Sequence, residues 1–223
     1  MAETLQVTEG DARKSHPAAS CLAALVRIAT GVRVRWEGCE PVPRQRIYFA
    51  NHTSHLDAVV LWGALPSALR ARTRPVAGRD YWERGALRRW LAGEVFRVVL
   101  VDRATPAGTG RAEAARRTID ALVLAMRAGD SLIVFPEGTR GDGVEIGPFK
   151  SGIYHLAARM PGVELVPAYL ENLNRILPKG EVLPVPLAGS VAFGPPIVLG
   201  EGEEKQAFVA RAREAVRRLR PAG

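Results

Sequence analysis

The run Asn51-His52-Thr53-Ser54-His55-Leu56-Asp57 sets a histidine five residues ahead of an aspartate. Within one regular α-helix that separation leaves the two side chains about 140° apart, so they cannot meet there. They can meet if His52 sits in a turn before a helix and Asp57 in its first turn, with Ser54 as the N-cap. The carboxylate then accepts from one ring nitrogen, fixes the tautomer and stabilises the imidazolium. The other nitrogen is left to act as a general base. Two other chemistries fit the same letters. Ser54-His55-Leu56-Asp57 is a capping-box pattern, in which the aspartate only finishes a helix start. His52, His55 and Asp57 are also three potential metal ligands, as in a metallo-hydrolase, although their spacing follows no common zinc motif. His16 and His155 are the only further histidines.

A second segment, FPEGTRGDGVEIGPFK from Phe135 to Lys150, has the makings of an anion site. Gly138 lets the backbone approach a ligand closely. Thr139 offers a hydroxyl or an amide, and Arg140 a planar fork matched to phosphate. Lys150, at the start of the next helix candidate, adds a second cation. The glycines at 141, 143 and 147 suggest a mobile flap. The alternative is a surface turn closed by a Glu137–Arg140 ion pair, worth little if exposed. Neither a GxxxxGK[ST] phosphate loop nor a complete G-x-S-x-G nucleophile elbow occurs anywhere in the chain.

Positioning these segments requires strands that end beside each other. VRVRW (32–36) alternates at period two, and IYFA (47–50), RVVLV (97–101) and SLIVF (131–135) are short apolar runs of the kind buried strands use. The stretch around Val76, ELVPAYL (164–170) and VAFG (191–194) are further strand candidates. Helices are expected over 18–31, 55–65, 81–93 and 109–128. A last one spans 203–219, with Phe208, Ala212, Val216 and Leu219 along one face. The β-α-β-α order predicts a single-domain α/β fold, a mostly parallel sheet flanked by helices, over residues 17–223. Residues 1–16 read as a flexible tail and the proline-rich 172–190 as an irregular excursion. In open α/β sheets ligands bind beyond the carboxyl ends of the strands. His52, Arg103 and the 135–140 segment each follow a strand candidate, so all three should open on one rim.

Composition narrows the partners. The chain has 223 residues and a formal net charge of +8, which favours anionic partners. Only Lys14, Lys150, Lys179 and Lys205 are lysines, a bias that a GC-rich genome would produce as readily as phosphate binding. Two cysteines, Cys21 and Cys39, cannot build a disulfide framework or a four-ligand zinc site. The polar N-terminus lacks the order of a signal peptide. The best apolar stretch, Pro17 to Val26, is too short to cross a bilayer but could lie on one. Arginines are dense between Arg70 and Arg117, yet no recognition helix, finger or aromatic RNA-binding strand accompanies them, which argues against a nucleic-acid binder.

Taken together, NHTSHLD (51–57) and FPEGTR (135–140) closely resemble the glycerolipid acyltransferase family, the lysophosphatidic acid acyltransferase-like enzymes with their NHxSxxD (HX4D) and FPEGTR blocks. VVLVDR (98–103) looks like that family's second block and LVPAYL (165–170) its fourth, so the resemblance covers roughly 33–198. The second block usually opens with a glycine, where this chain has Arg97. The resemblance implies a glycerol-3-phosphate acyltransferase-like fold and acyl transfer from acyl-CoA or acyl carrier protein to a lysophospholipid hydroxyl, without metal or organic cofactor. It makes His52 the base and Asp57 its orienting partner. Arg103 and Arg140 would hold the acceptor phosphate, with Glu137 and Gly138 shaping that pocket. Asn51, Ser54, Thr139 and Lys150 complete the expected substrate contacts. A cytoplasmic enzyme resting on the inner face of the membrane, through 18–31 or the basic C-terminal helix, is the corresponding location.

Overall fold

Alternation of apolar side chains builds the centre of this molecule. The computed structural model describes residues 17–54, 56–102, 110–171 and 189–221, so the N-terminal tail, His55, Arg103 and most of the 172–190 excursion lie outside the described residues. Seven strands form one sheet: β1 (Arg33–Trp36), β2 (Arg46–Ala50), β3 (Thr73–Gly78), β4 (Val99–Val101), β5 (Ser131–Val134), β6 (Glu164–Glu171) and β7 (Ser190–Phe193), in the order β1-β7-β6-β2-β5-β3-β4. The five strands from β6 to β4 run parallel to one another. At the other edge β7 pairs antiparallel with β6 and parallel with β1, so these two strands run against the rest.

Both faces of the sheet are covered, as near-continuous apolar strands require. Tyr48 and Ala50 of β2, Ile133 of β5 and Val166 and Ala168 of β6 point to one face. That face carries α1 (Pro17–Thr30), α2 (Asp57–Ala64), α3 (Ser67–Arg70), α4 (Arg79–Trp82) and a π-helical turn over Leu91–Val95. Ile47, Phe49, Leu132, Val134 and Leu165 point to the other, beneath α6 (Arg111–Arg127), α7 (Gly152–Arg159) and α8 (Lys205–Arg217). Phe208, Ala212 and Val216 of α8 are fully buried, on the face that the sequence periodicity marks.

The single helix expected over 81–93 is instead three pieces. Gly85, at φ 87°, breaks it, and α5 (Ala86–Trp90) runs on directly into the π-helical turn. A left-handed residue cannot continue a right-handed helix, and glycine reaches that region at little steric cost.

Where β2 and β6 begin, Arg46 is almost wholly buried, and its Nε donates to Glu164 Oε2 at 2.8 Å while Nη1 donates to Glu40 O at 2.7 Å. Burial alone would push the Glu164 carboxyl up, but hydrogen bonds from Arg46 and Arg44 outweigh it and hold the group below the ordinary carboxylate range. A depressed carboxyl contributes stability that is present above its unfolded pKa and lost as pH falls through the folded one. Glu164→Gln should therefore cost about 3 kcal/mol at neutral pH, by leaving the Arg46 charge buried without its partner. Urea unfolding of both proteins should show that gap narrowing below about pH 4. A gap that stayed constant with acidification would remove the ion pair as its cause.

Candidate active site

Five parallel strands present their carboxyl ends on one rim, and the chemistry-bearing residues follow three of them. After β2, residues 51–54 are not helical, and α2 begins only at Asp57. The reason is the Asp57 carboxylate, which is fully buried. Its Oδ2 accepts from the backbone amides of Thr53 at 2.6 Å and Ser54 at 2.8 Å, and contacts His52 Nδ1 at 2.9 Å. Asp57 also stands in the first turn of α2, where the helix dipole favours a negative charge.

Ser54 is not the N-cap expected from the sequence. Leu56 occupies that position without a side-chain cap, and the Ser54 hydroxyl accepts from the Leu56 amide at 3.3 Å. The carboxylate has drawn the turn around itself and displaced the helix start. The capping-box and base-orienting alternatives thus merge, because one oxygen serves both the turn amides and the imidazole. An ionised carboxylate only accepts, so Nδ1 carries the ring proton. Nε2 makes no hydrogen bond to a described residue.

The segment after β5 grips His52 from the other side. Phe135 stacks on the imidazole, with ring centroids 4.4 Å apart and planes inclined by 23°. Gly141 N donates to His52 O at 2.8 Å. Glu137, 5% exposed, accepts from the His52 amide at 2.8 Å through Oε1 and from the Gly147 amide at 3.0 Å through Oε2. The Glu137–Arg140 ion pair of the alternative reading is not formed; both carboxylate oxygens accept from backbone amides. Glu137 is thereby a positioning group for the imidazole's own backbone, a task that differs from the substrate contact expected of it.

Asn51 also has another task. Its Nδ2 donates to Leu170 O at 2.9 Å and its Oδ1 accepts from Leu170 N at 2.8 Å, all of it buried. The side chain imitates one more residue of the β2–β6 ladder beyond Ala50↔Ala168. Ser54, 4% exposed, is likewise turned inward.

Three expected residues do face outward beside the imidazole. Gly138 adopts φ 67°, and Thr139 next to it is exposed. The Lys150 side chain lies over Gly138 so closely that a Cβ there would come within 2.5 Å of Nζ. Lys150 and Arg140 form no ion pair with a described carboxylate. Arg140 precedes the residue bonded to His52 O. Arg103 lies outside the described residues. Its neighbour Asp102, just past β4, accepts from Arg79 Nε at 3.1 Å. Arg79 begins α4 at the end of β3 and was not singled out from the sequence; its position immediately after a strand was the available signal.

Comparison with known proteins follows these blocks. The profile of the Acyltransferase family matches residues 33–171. A 1-acyl-sn-glycerol-3-phosphate acyltransferase of Limnanthes douglasii is 29% identical over 182 residues, 79% of this chain and 58% of that protein. The 1-acyl-sn-glycerol-3-phosphate acyltransferase alpha of Homo sapiens is 32% identical over 154 residues, 63% of this chain and 47% of that one. The chain thus spans about half the length of the curated relatives it matches. The crystal structure of the 1-acyl-sn-glycerophosphate (LPA) acyltransferase PlsC from Thermotoga maritima superposes with a TM-score of 0.68 at 22% identity. It covers 90% of this chain and 76% of that one, a likeness of fold.

Asn51→Ala should strip partners from both the amide and the carbonyl of Leu170. We expect a loss of roughly 2–4 kcal/mol in urea unfolding. A loss under about 0.5 kcal/mol, the range of ordinary surface changes, would mean that the ladder does not depend on the amide.

Proposed function

The chain belongs to the Acyltransferase family, and on that premise we propose that it moves a fatty acyl group from a thioester to the free hydroxyl of a lysophospholipid. The foremost acceptor is 1-acyl-glycerol-3-phosphate, which would give phosphatidic acid. The observation that carries this reading is the buried Asp57 carboxylate on His52 Nδ1.

The steps follow from that geometry. His52 Nε2 takes the proton of the acceptor hydroxyl as its oxygen bonds to the thioester carbonyl carbon. The imidazolium so formed is stabilised by the Asp57 carboxylate. When the C–S bond breaks, the imidazolium returns the proton to the departing thiolate, and ester and thiol leave. No covalent acyl-enzyme is needed, and the reaction calls for neither metal nor organic cofactor. Base catalysis of this kind contributes roughly 10²–10⁴-fold. Holding the acceptor must supply much of the remainder. Arg140, Lys150 and Arg103 are the proposed clamp for its phosphate. The donor is acyl-CoA or acyl carrier protein.

A peripheral place on the inner, cytoplasmic face of the membrane completes the proposal. Among the described residues no helix is long and apolar enough to cross a bilayer. α5 buries none of its residues. It exposes Leu87 at 68% and Trp90 at 42%, with Arg84, Arg88 and Arg89 exposed beside them. Apolar and cationic side chains so mixed suit the boundary of an anionic bilayer. On α1, Leu25 and Ile28 are also exposed. The basic C-terminal helix has other engagements. Its apolar face is buried on the sheet, Arg211 pairs with Glu203, and Arg217 and Arg218 pair with Glu214.

Purified protein given a long-chain acyl-CoA and lysophosphatidic acid should release thiol and form phosphatidic acid. His52→Ala should abolish turnover, and Asp57→Asn should reduce it by about 10³-fold or more while the protein stays folded. Neither EDTA nor dialysis should matter. Arg140→Gln should raise the KM for the phosphorylated acceptor and leave that for a monoacylglycerol unchanged. Full turnover in His52→Ala would overturn the mechanism, and turnover with the unphosphorylated acceptor alone would overturn the acceptor class.

The chain should also float with phosphatidylglycerol vesicles and stay behind with phosphatidylcholine ones. Replacing Leu87 and Trp90 together by serine should weaken that binding by about tenfold, from the apolar area withdrawn. Undiminished flotation of that variant would place the lipid contact elsewhere.

A further inference from the structure

The last helix reaches the backbone of His52 through one peptide plane and one carboxylate, from outside the 33–171 stretch that matches the family. Arg213 projects from α8 and donates to Ile146 O, from Nε at 3.1 Å and also from Nη2. The next amide, Gly147 N, donates to Glu137 Oε2 at 3.0 Å, and Glu137 Oε1 accepts from His52 N at 2.8 Å. The carbonyl of Ile146 and the amide of Gly147 belong to the same planar peptide group, on opposite sides of its C–N bond. A guanidinium that fixes the carbonyl therefore also fixes the direction of the N–H. Bonds linked in this way polarise and reinforce one another.

The surroundings leave this plane little room. A Cβ on Gly147 would come within 2.7 Å of Glu137 Oε2. Arg213 stands on a helix whose Ala212 and Val216 are fully buried, so its stem is anchored. Arg220 adds a second tie, from Nη1 to Val144 O at 3.1 Å. The glycine-containing 141–147 segment is thus tethered at both ends, at His52 through Gly141 and, through residues 146 and 144, at α8 and at Arg220 just beyond it.

We propose that Arg213 is a positioning residue for acyl transfer. It holds the 146–147 peptide, which holds Glu137, which holds the backbone from which His52 projects. This rests on the function proposed above for His52, but the relay itself can be read without turnover.

Arg213→Met, Arg213→Lys, Glu137→Ala and the double variant Arg213→Met/Glu137→Ala test it. We expect Arg213→Met to lower kcat by about tenfold, the scale of a slight misplacement of a catalytic group, with the KM of both substrates within twofold. Arg213→Lys, which can still donate to Ile146 O, should recover most of that loss. In the Glu137→Ala background Arg213→Met should cost nothing more. Amide hydrogen exchange at Gly147 and His52 should quicken in Arg213→Met, whatever the reaction proves to be. Additive losses in the double variant, a loss confined to KM, or unchanged exchange at both amides would each overturn the proposal. Absent acyl transfer in the wild type combined with quickened exchange in Arg213→Met would refute the function and keep the relay. A melting temperature in Arg213→Lys close to wild type separates the relay from loss of the fold.

Discussion

Oδ2 of Asp57 is the atom on which the site depends. A carboxylate removed wholly from water is costly unless donors surround it. Here two backbone amides and an imidazole meet on one oxygen, and the N-terminus of α2 lies behind it. The charge proposed to make His52 a base is the same charge that shapes the turn presenting it. The proposed catalytic role and the local shape of the turn therefore rest on one atom. An uncharged substitute weakens the grip on the Thr53 and Ser54 amides at the moment it stops stabilising an imidazolium.

The second grip explains why two blocks so far apart in sequence act as one. β2 and β5 are neighbours with Phe49 opposite Val134, so the residues that follow them emerge side by side. Parallel strands guarantee that both emerge on the same rim. The segment after β5 then surrounds His52 with a stacked ring, an amide on its carbonyl and a carboxylate on its amide. With ring nitrogen, backbone amide and backbone carbonyl all engaged, little freedom is left in the imidazole, as the proposed role of a preorganised base requires.

Much of this was legible in the sequence, and the remainder has a physical explanation. The continuous apolar runs IYFA and SLIVF mark strands buried on both faces, and the Phe208-Ala212-Val216 spacing marks a packed helix. The meeting of His52 and Asp57 could be reasoned from turn geometry. The tasks of Asn51 and Glu137 could not. Each bonds a backbone group far along the chain, Leu170 in one case and Gly147 in the other, and a backbone partner leaves no mark in side-chain identity. Arg213 escaped for the same reason. The break at Gly85 was a matter of weight, since the stretch 81–93 is rich in helix formers and one left-handed glycine outranks them.

Arg97 shows how a departure from the family pattern is absorbed. Where the resembling enzymes usually open their second block with glycine, this arginine adopts φ 51°. For a residue with a Cβ that conformation costs about 1–2 kcal/mol. The side chain offsets it: Nη2 lies 3.3 Å and 3.2 Å from the two oxygens of Asp130, and Nη1 donates to Ala71 O at 3.2 Å. Asp130 is itself buried and also bonded by Arg74 at 3.1 Å. Strain in the backbone is thus coupled to neutralising a buried charge, a benefit that glycine could not bring. All of these groups precede β3, β4 or β5 or stand at their first residues, at the end of the sheet opposite to His52. The arginine therefore trades backbone ease for an ion pair at the end of the sheet away from His52, and the rim that carries His52 is left as the other blocks build it.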